Sequence, residues 1–292
     1  MKIAIYAQKI ADKHFSFVQF LFQSLLNKQV ELVVYESFYR EIAQHLQLNT
    51  DVSTFKNHYE MQDVDYMFSI GGDGTLLKTI TYVREKAIPI FGINTGRLGF
   101  LTSIATEEIE FAIDAILAKD FDIDTRTLLS LHTENNLFGE ANYALNEITL
   151  QKKDTSSMIT IQVFLDGAFL NSYWADGIII ATPTGSTAYS LSCNGPIILP
   201  GSGNIIINPI APHNLNMRPV VVPDDVELTL KINGRTDNFL VALDSRSLAV
   251  PLSMELRIKK SAHQVKIIRL KNHSFLTTLR SKLSWGQDKR NY

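Results

Sequence analysis

The stretch that most limits how this chain can fold is an apolar run, a glycine-rich turn and a helical pattern in succession between residues 66 and 84. Tyr66-Met67-Phe68-Ser69-Ile70 suits a buried strand, Gly71-Gly72-Asp73-Gly74-Thr75 suits a tight turn, and residues 76–84 read as a helix. A strand, a glycine turn and a helix in this order present backbone N–H groups and a positive helix end to one point, which is a common way to meet a phosphate. Here a carboxylate sits in the middle of the turn. An Asp about 4 Å from a phosphate is repelled by roughly 1 kcal/mol in water and about 4 kcal/mol at a partly buried surface. Asp73 is therefore expected to face either a hydroxyl that loses a proton or a metal ion that bridges phosphates.

The first 120 residues alternate around that turn. Strand patterns at 2–7, 30–35, 66–70 and 89–93 are separated by helical patterns at 12–27, 40–46, 76–84 and 107–118. Such alternation implies a parallel sheet covered on both faces. After Asp124 the character changes to short β-branched or alternating runs broken by Gly, Pro, Asn and Asp. Asp166-Gly167 and Asn233-Gly234 read as hairpin turns, and only 186–192 looks helical in that half. The tail at 274–283 reads as a last helix, followed by polar residues expected to fray. The expected fold is an α/β N-terminal domain with a parallel sheet plus an all-β C-terminal domain. The boundaries are 1–124 with 271–292, and 125–270.

The 292 residues are 45% hydrophobic and 20% charged, enough apolar surface for real cores. A net charge of −2 gives no basic field for nucleic acid or an anionic membrane. The N-terminus reads directly as a strand without a secretory layout, and no apolar run approaches the roughly 20 residues of a membrane span. One cysteine, Cys193, excludes an intramolecular disulfide and fits a reducing compartment. The expectation is a soluble cytoplasmic protein.

The glycine turn is neither of the two familiar phosphate loops. No GxxxxGK[ST] occurs, and a dinucleotide fingerprint would need a third glycine where the chain has Leu77. Lys78, one turn into the helix, is placed to approach a phosphate or to sit solvated. A second turn, Asn94-Thr95-Gly96-Arg97-Leu98-Gly99-Phe100, follows the next strand, so both turns share the carboxyl edge of the sheet. Gly96 and Gly99 permit close backbone approach, and Phe100 is either a ring for a nucleobase or part of the core. Asn146-Glu147 pairs two strong hydrogen-bonding groups suited to sugar hydroxyls; a surface turn or strand end is its plainer reading. The densest polar run extends from Ala175-Asp176-Gly177 to Thr182-Pro183-Thr184-Gly185-Ser186-Thr187-Ala188-Tyr189-Ser190-Leu191-Ser192. Ser186 and Ser190 lack a GxSxG elbow, which speaks against a nucleophile. No His/Cys cluster has zinc spacing.

Together these stretches resemble the bacterial NAD kinase family, in the same order and over most of the chain. The glycine turn alone is shared with diacylglycerol and sphingosine kinases, so a lipid or small-alcohol kinase is the alternative. Asn146-Glu147 with 182–192 narrows the resemblance to NAD kinase. It implies transfer of the γ-phosphoryl group of ATP to the 2′-hydroxyl of NAD's adenosine ribose, giving NADP. It implies Asp73 as proton acceptor, with Gly74 and the turn amides along the ribose and phosphates and Phe100 near the adenine. Asn146 and Glu147 hold the other ribose, and Thr187, Ala188, Tyr189, Ser190, Leu191 and Ser192 supply the nucleotide pocket. The resemblance also implies that Asp176 and Ala211 lie toward the nicotinamide. The resemblance further implies a divalent cation, Mg²⁺, on the nucleotide phosphates, with no metal ligand assigned. It also implies a homodimer or homotetramer and a C-terminal helix that returns to the first domain. Family members commonly carry Asp-Gly late in the β region where this chain has Asp244-Ser245, and no residue is carried over from that loop.

Overall fold

The computed structural model describes residues 1–46, 52–96, 99–102, 104–153, 158–235 and 237–284. It divides into two compact units, Met1–Thr125 with Val265–Tyr292, and Arg126–Gln264.

In the first unit five parallel strands, β1 (Lys2–Ala7), β2 (Glu31–Tyr35), β3 (Ser53–Phe55), β4 (Tyr66–Ile70) and β5 (Ile90–Asn94), lie in the order β5-β4-β1-β2-β3. The short β6 (Ile104–Ala105) adds to β5. Every residue of β4 and β5 is buried, as expected for parallel strands covered on both faces. One cover is built by α1 (Phe15–Asn27), α2 (Glu36–Ile42) and α4 (Ile109–Leu117), which bring Val18, Leu21, Phe22, Phe38, Ile113 and Ile116 against Ile3, Ile5, Phe68 and Ile93. Another helix, α3 (Asp73–Val83), buries Leu76, Ile80 and Val83. From β1 the chain builds outward through β2 and β3, then returns to lay β4 on the other side of β1. The order therefore reverses between β1 and β4, and an open α/β sheet has its crevice at the carboxyl ends of such a pair. The glycine turn leaves β4 at that point.

Two helix boundaries differ from the pattern in the sequence. The helix expected at 40–46 is α2, which starts earlier, at Glu36, and ends at Ile42. An i,i+4 ion pair between Glu36 and Arg40 (3.0 Å) falls inside it. The helix after the glycine turn starts at Asp73 rather than at residue 76, so the carboxylate belongs to its first turn.

Past β7 (Phe121–His132) and β8 (Tyr143–Ala144), the second unit is two antiparallel sheets packed face to face. The strands are β9 (Glu147–Lys152), β10 (Ile159–Leu165), β11 (Ala168–Ala175), β12 (Gly177–Ala181), β13 (Asn204–Ile210), β14 (Val220–Pro223), β15 (Leu228–Asn233), β16 (Asn238–Leu243), β17 (Arg246–Pro251) and β18 (Leu256–Leu270). One sheet runs β14-β13-β12-β9-β16-β17, and the other runs β11-β10-β15 with the first part of β18. Ile148, Leu150, Ile178, Ile180, Ile205, Val241 and Leu243 face Ile161, Val163, Leu228, Leu230 and Ile258 across the core. Because side chains alternate along a strand, Glu147, Thr149 and Gln151 share the opposite face of the six-stranded sheet with Ile179 and Ala181. That face is covered by the segment carrying Cys193 and Ile198 and the short helix α5 (Tyr189–Ser192).

Asp166-Gly167 makes the expected hairpin between β10 and β11. Asn233-Gly234 does not make one: β15 pairs with β10 and β18, whereas β16 lies in the other sheet. The tight two-residue turn is instead Asp244-Ser245, between β16 and β17. The last helix, α6 (Phe275–Leu283), belongs to the first unit and is capped by Ser274, whose Oγ accepts from the Thr277 amide at 3.1 Å. The polar tail after residue 284 lies outside the described residues. Among them, no helix is long and apolar enough to cross a membrane.

Candidate active site

In the first unit the glycine turn and the second turn are held together by the Asp73 carboxylate. Gly71 has φ +148°, and a Cβ there would strike the Thr75 side chain. The backbone thereby turns directly from β4 into α3, with Gly72 at the N-cap. From the first turn of that helix, Asp73 Oδ2 accepts from the amide of Phe100 (2.8 Å). Its Oδ1 accepts from the amides of Leu101 (3.1 Å) and Thr102 (2.9 Å) and from the Thr102 hydroxyl (2.9 Å). A Cβ at Gly99 would overlap this carboxylate, which explains the glycine. Asn94 supports the same loop: its Oδ1 accepts from the Gly96 amide at 2.7 Å, and its Nδ2 donates to Thr102 Oγ1 at 2.9 Å. Arg97 and Leu98 lie outside the described residues.

Asp73 is thus not the bare carboxylate that the turn sequence implied. A carboxylate offers about four acceptor directions. Oδ1 already carries three donors and Oδ2 only one, so Oδ2 is the oxygen with capacity for a further partner. Gly74 is exposed in the first turn of α3, and Lys78 is exposed one turn later. Phe100 is half-buried, with its ring centroid 6.2 Å from that of Phe275 and Lys282 Nζ 6.0 Å from the ring. It packs on α6 as a partly buried core aromatic would.

In the second unit the polar residues converge at one end of β9. Asn146 and Glu147 are both buried. The loop at 182–187 is fastened to them by Thr182, whose amide donates to the Asn146 carbonyl (2.9 Å) and whose hydroxyl donates to the Leu145 carbonyl (2.5 Å). A Cβ at Gly185 would collide with the Asn146 backbone. Ser186 is wholly buried, donates to the Pro183 carbonyl at 2.6 Å and accepts from the Ile198 amide at 3.0 Å, so it is a loop fastener and not a nucleophile. Thr187, Ala188 and Leu191 are half-buried, Tyr189 and Ser192 are exposed, and Ser190 is buried. Asn208 reaches from β13 to Ser190, donating to its carbonyl (3.0 Å) and hydroxyl (3.1 Å). The Tyr189 hydroxyl accepts from Gln151 Nε2 at 2.9 Å.

Asp244, which the sequence pattern left without a role, organises this end. Its Oδ2 accepts from the amide of Leu145 (2.9 Å), and its Oδ1 accepts from those of Asn146 (2.8 Å) and Glu147 (3.2 Å). The left-handed backbone falls on Asp244 itself, at φ +52°, a conformation Asp tolerates. The usual glycine is therefore dispensable at Ser245. Burial, aided by the nearby Asp244 charge, pushes the Glu147 carboxyl from an ordinary 4.5 up to about 8, against a pull downward from the Tyr189 amide. Among the described residues, Glu147 Oε2 is buried with no hydrogen-bond partner.

Asp176 and Ala211 are not part of this cluster. The Asp176 amide donates to the Ile210 carbonyl (3.0 Å), and its carboxylate pairs with Lys152 (2.6 Å). Both therefore sit at the far end of β9 and β12, about 17 Å of strand from Glu147. Ala211 is exposed and has φ +44°, a strained value for an alanine. Thr102, Gln151 and Asn208 also hold the site and carry no motif. Gln151 and Asn208 are marked only by alternation with apolar strand neighbours, a signal common to any half-buried polar residue, and Thr102 lies in the loop before β6 with no such mark.

Comparison with known proteins bears on the family and the fold. Residues 3–121 match the ATP-NAD kinase N-terminal domain and residues 145–270 the ATP-NAD kinase C-terminal domain. The chain is 44% identical over 292 residues to the NAD kinase of Cytophaga hutchinsonii and 45% identical over 294 residues to that of Flavobacterium psychrophilum, in each case across 100% of both chains. The structure of an NAD kinase from Archaeoglobus fulgidus in complex with ATP is 26% identical, with a TM-score of 0.76 over 97% of this chain and 99% of that one. Yeast NADH kinase complexed with NADH shares the fold, with a TM-score of 0.88 at 22% identity over 98% and 88%. The match over residues 145–270 sets aside the lipid- or small-alcohol-kinase alternative, which rested on the glycine turn alone. With both family domains present and relatives matched from end to end, the chain belongs to the ATP-NAD kinase family.

Proposed function

We propose that, in the ATP-dependent NAD kinase reaction of this chain, Asp73 Oδ2 takes the proton of the 2′-hydroxyl of NAD's adenosine ribose. The ribose 2′-oxygen becomes bonded to the γ-phosphorus of ATP as the bond from the γ-phosphorus to the bridging oxygen breaks, and ADP leaves. The observation that supports it is the unequal loading of the carboxylate, three donors on Oδ1 and one on Oδ2. An ordinary carboxylate is far too weak a base for a free alcohol. The proton therefore moves late, as the nucleophilic oxygen loses electron density in the loose transition state of phosphoryl transfer. Gly74 and Lys78 serve the phosphates, and Phe100 stands near the adenine.

In the second unit Asn146 and Glu147 bind the remaining ribose, and the segment from Thr187 through Ala188, Tyr189, Ser190, Leu191 and Ser192 lines the nucleotide pocket. A divalent cation, Mg²⁺, arrives with the ATP phosphates: among the described residues no three His, Cys, Asp or Glu side chains cluster as a resident metal centre. The working assembly is a homodimer or homotetramer, to be tested by light scattering. The compartment is the cytoplasm, where a lone thiol stays reduced; cell fractionation tests it. The direct test of the reaction is incubation with NAD, ATP and Mg²⁺, reading NADP through a coupled dehydrogenase. Product at background level would overturn the assignment.

A further inference from the structure

Two carboxyl groups, Glu147 and Asp244, share one enclosed region of the second unit, and the donors around them are divided very unequally. Asp244 receives three backbone N–H groups and lies beside the Arg246 guanidinium. Arg246 is itself anchored on the carbonyls of Ala141 and Tyr143. Among the described residues, Glu147 receives only the amide of Tyr189, and its Oε2 is buried without a partner. Two like charges in a low-dielectric site repel, so one group keeps its proton, and the charge goes to the group with more donors. That group is Asp244. A protonated Oε2 would also supply a donor where the structure has an oxygen lacking any partner.

We propose that Asp244 and Glu147 work as a pair carrying a single charge: Asp244 is a positioning residue that gathers the Leu145–Glu147 backbone, and Glu147 meets the nucleotide as a neutral acid whose Oε2–H donates to a sugar oxygen. This rests on the assignment of Glu147 to the NAD ribose. Burial with help from Asp244 raises the Glu147 carboxyl to about 8, in keeping with a neutral acid at pH 7. Burial also pushes Asp244 upward, opposed by its three amides and Arg246. The other titratable groups facing Glu147 are Tyr189 and Cys193. Burial pushes both of these upward, so neither supplies a competing transition below pH 8.

The test is KM for NAD and kcat from pH 6 to 9.5 for the unmodified enzyme, Glu147→Gln, Glu147→Ala and Asp244→Asn. In the unmodified enzyme KM for NAD is expected to rise at least fivefold above pH 8, as the donor is lost. Glu147→Gln, which keeps an uncharged donor, removes that rise. Asp244→Asn removes the neighbouring charge, and the rise moves acidward by a unit or more, with KM changing more than kcat. A KM that falls with rising pH, or a rise left in place by Asp244→Asn, overturns the pair while leaving the contact with NAD intact. If Glu147→Ala leaves KM for NAD unchanged at every pH, the ribose assignment itself fails. An infrared spectrum of the unmodified protein gives a measurement free of folding effects: a carboxylic acid C=O band that persists at pH 7 and disappears near pH 8 supports the pair. Its absence at pH 7 refutes it.

Discussion

Replacing Asp73 with Asn separates two roles that meet in one carboxylate. Asn keeps a carbonyl oxygen where Oδ1 accepts from Leu101, Thr102 and the Thr102 hydroxyl, but puts an NH₂ group against the Phe100 amide in place of Oδ2. One hydrogen bond becomes a donor–donor contact, costing about 1–3 kcal/mol, and the other three lose their charge assistance. A stability loss of roughly 2–5 kcal/mol follows from the clasp alone. Loss of the proposed proton acceptor is a separate effect of about 10²–10⁴ in kcat, equivalent to roughly 3–5 kcal/mol of barrier. The assay is coupled NADP formation at saturating NAD and ATP, well below the unfolding temperature, with a urea titration of the same preparation. Thr102→Val is the control, because it removes one donor from Oδ1 and leaves the charge in place. It is expected to cost about 1–2 kcal/mol in stability with kcat within about fivefold. A kcat within threefold of the unmodified enzyme for Asp73→Asn would refute the proton-acceptor role. Proportionate losses of kcat and stability in both variants would reduce Asp73 to a clasp.

Gly99→Ala drives a methyl group into the Asp73 carboxylate and should lower kcat at least tenfold with a lower Tm; a normal enzyme would mean that the loop has room the geometry denies. Asn208→Ala strips donors from the Ser190 carbonyl and hydroxyl, so urea denaturation should report a loss of about 2–3 kcal/mol. Glu147→Gln should stabilise the fold in a pH-dependent way. The folded-state value of about 8 lies above the ordinary 4.5, so the folded state favours the protonated form: no penalty exists below 4.5, and it grows as pH rises to 8. The difference in ΔG between the Gln variant and the unmodified protein should thus be near zero at pH 4 and approach an upper limit of about 5 kcal/mol at pH 9. A pH-independent difference would show that Glu147 titrates normally.

The glycine turn and the parallel sheet were legible in the sequence because both depend on local properties. Buried parallel strands read as unbroken apolar runs, and Gly71 marks a backbone conformation that few other residues adopt. The start of α3 was misread by three residues because glycine and Asp lower helix propensity, whereas the helix N-terminus rewards a carboxylate in its first turn. Asn233-Gly234 carried the hairpin signal without the hairpin, because dipeptide chemistry reports a turn and says nothing about which sheet receives the next strand. Asp244 was illegible for a related reason. Its partners, Leu145, Asn146 and Glu147, are nearly 100 positions away, and only the pairing of β9 with β16 makes them neighbours.

The two aspartates use one physical device in separate units. Three consecutive backbone N–H groups that point to a common centre form an anion site, and a loop that presents them must find a negative charge. Asp73 fills such a site at Phe100, Leu101 and Thr102, and Asp244 fills one at Leu145, Asn146 and Glu147. The amides of Phe100, Leu101 and Thr102 are therefore already committed and have no capacity to bind a nucleotide phosphate. This commitment eases the conflict between a carboxylate at a glycine turn and a nearby phosphate. Asp73 spends most of its charge on the neighbouring loop, which weakens its repulsion of an approaching phosphate and rigidly aims the lightly loaded Oδ2. On the proposed assignment, the positive helix end at Gly74 and the ammonium of Lys78 remain for the phosphates, on the same helix whose first turn holds Asp73.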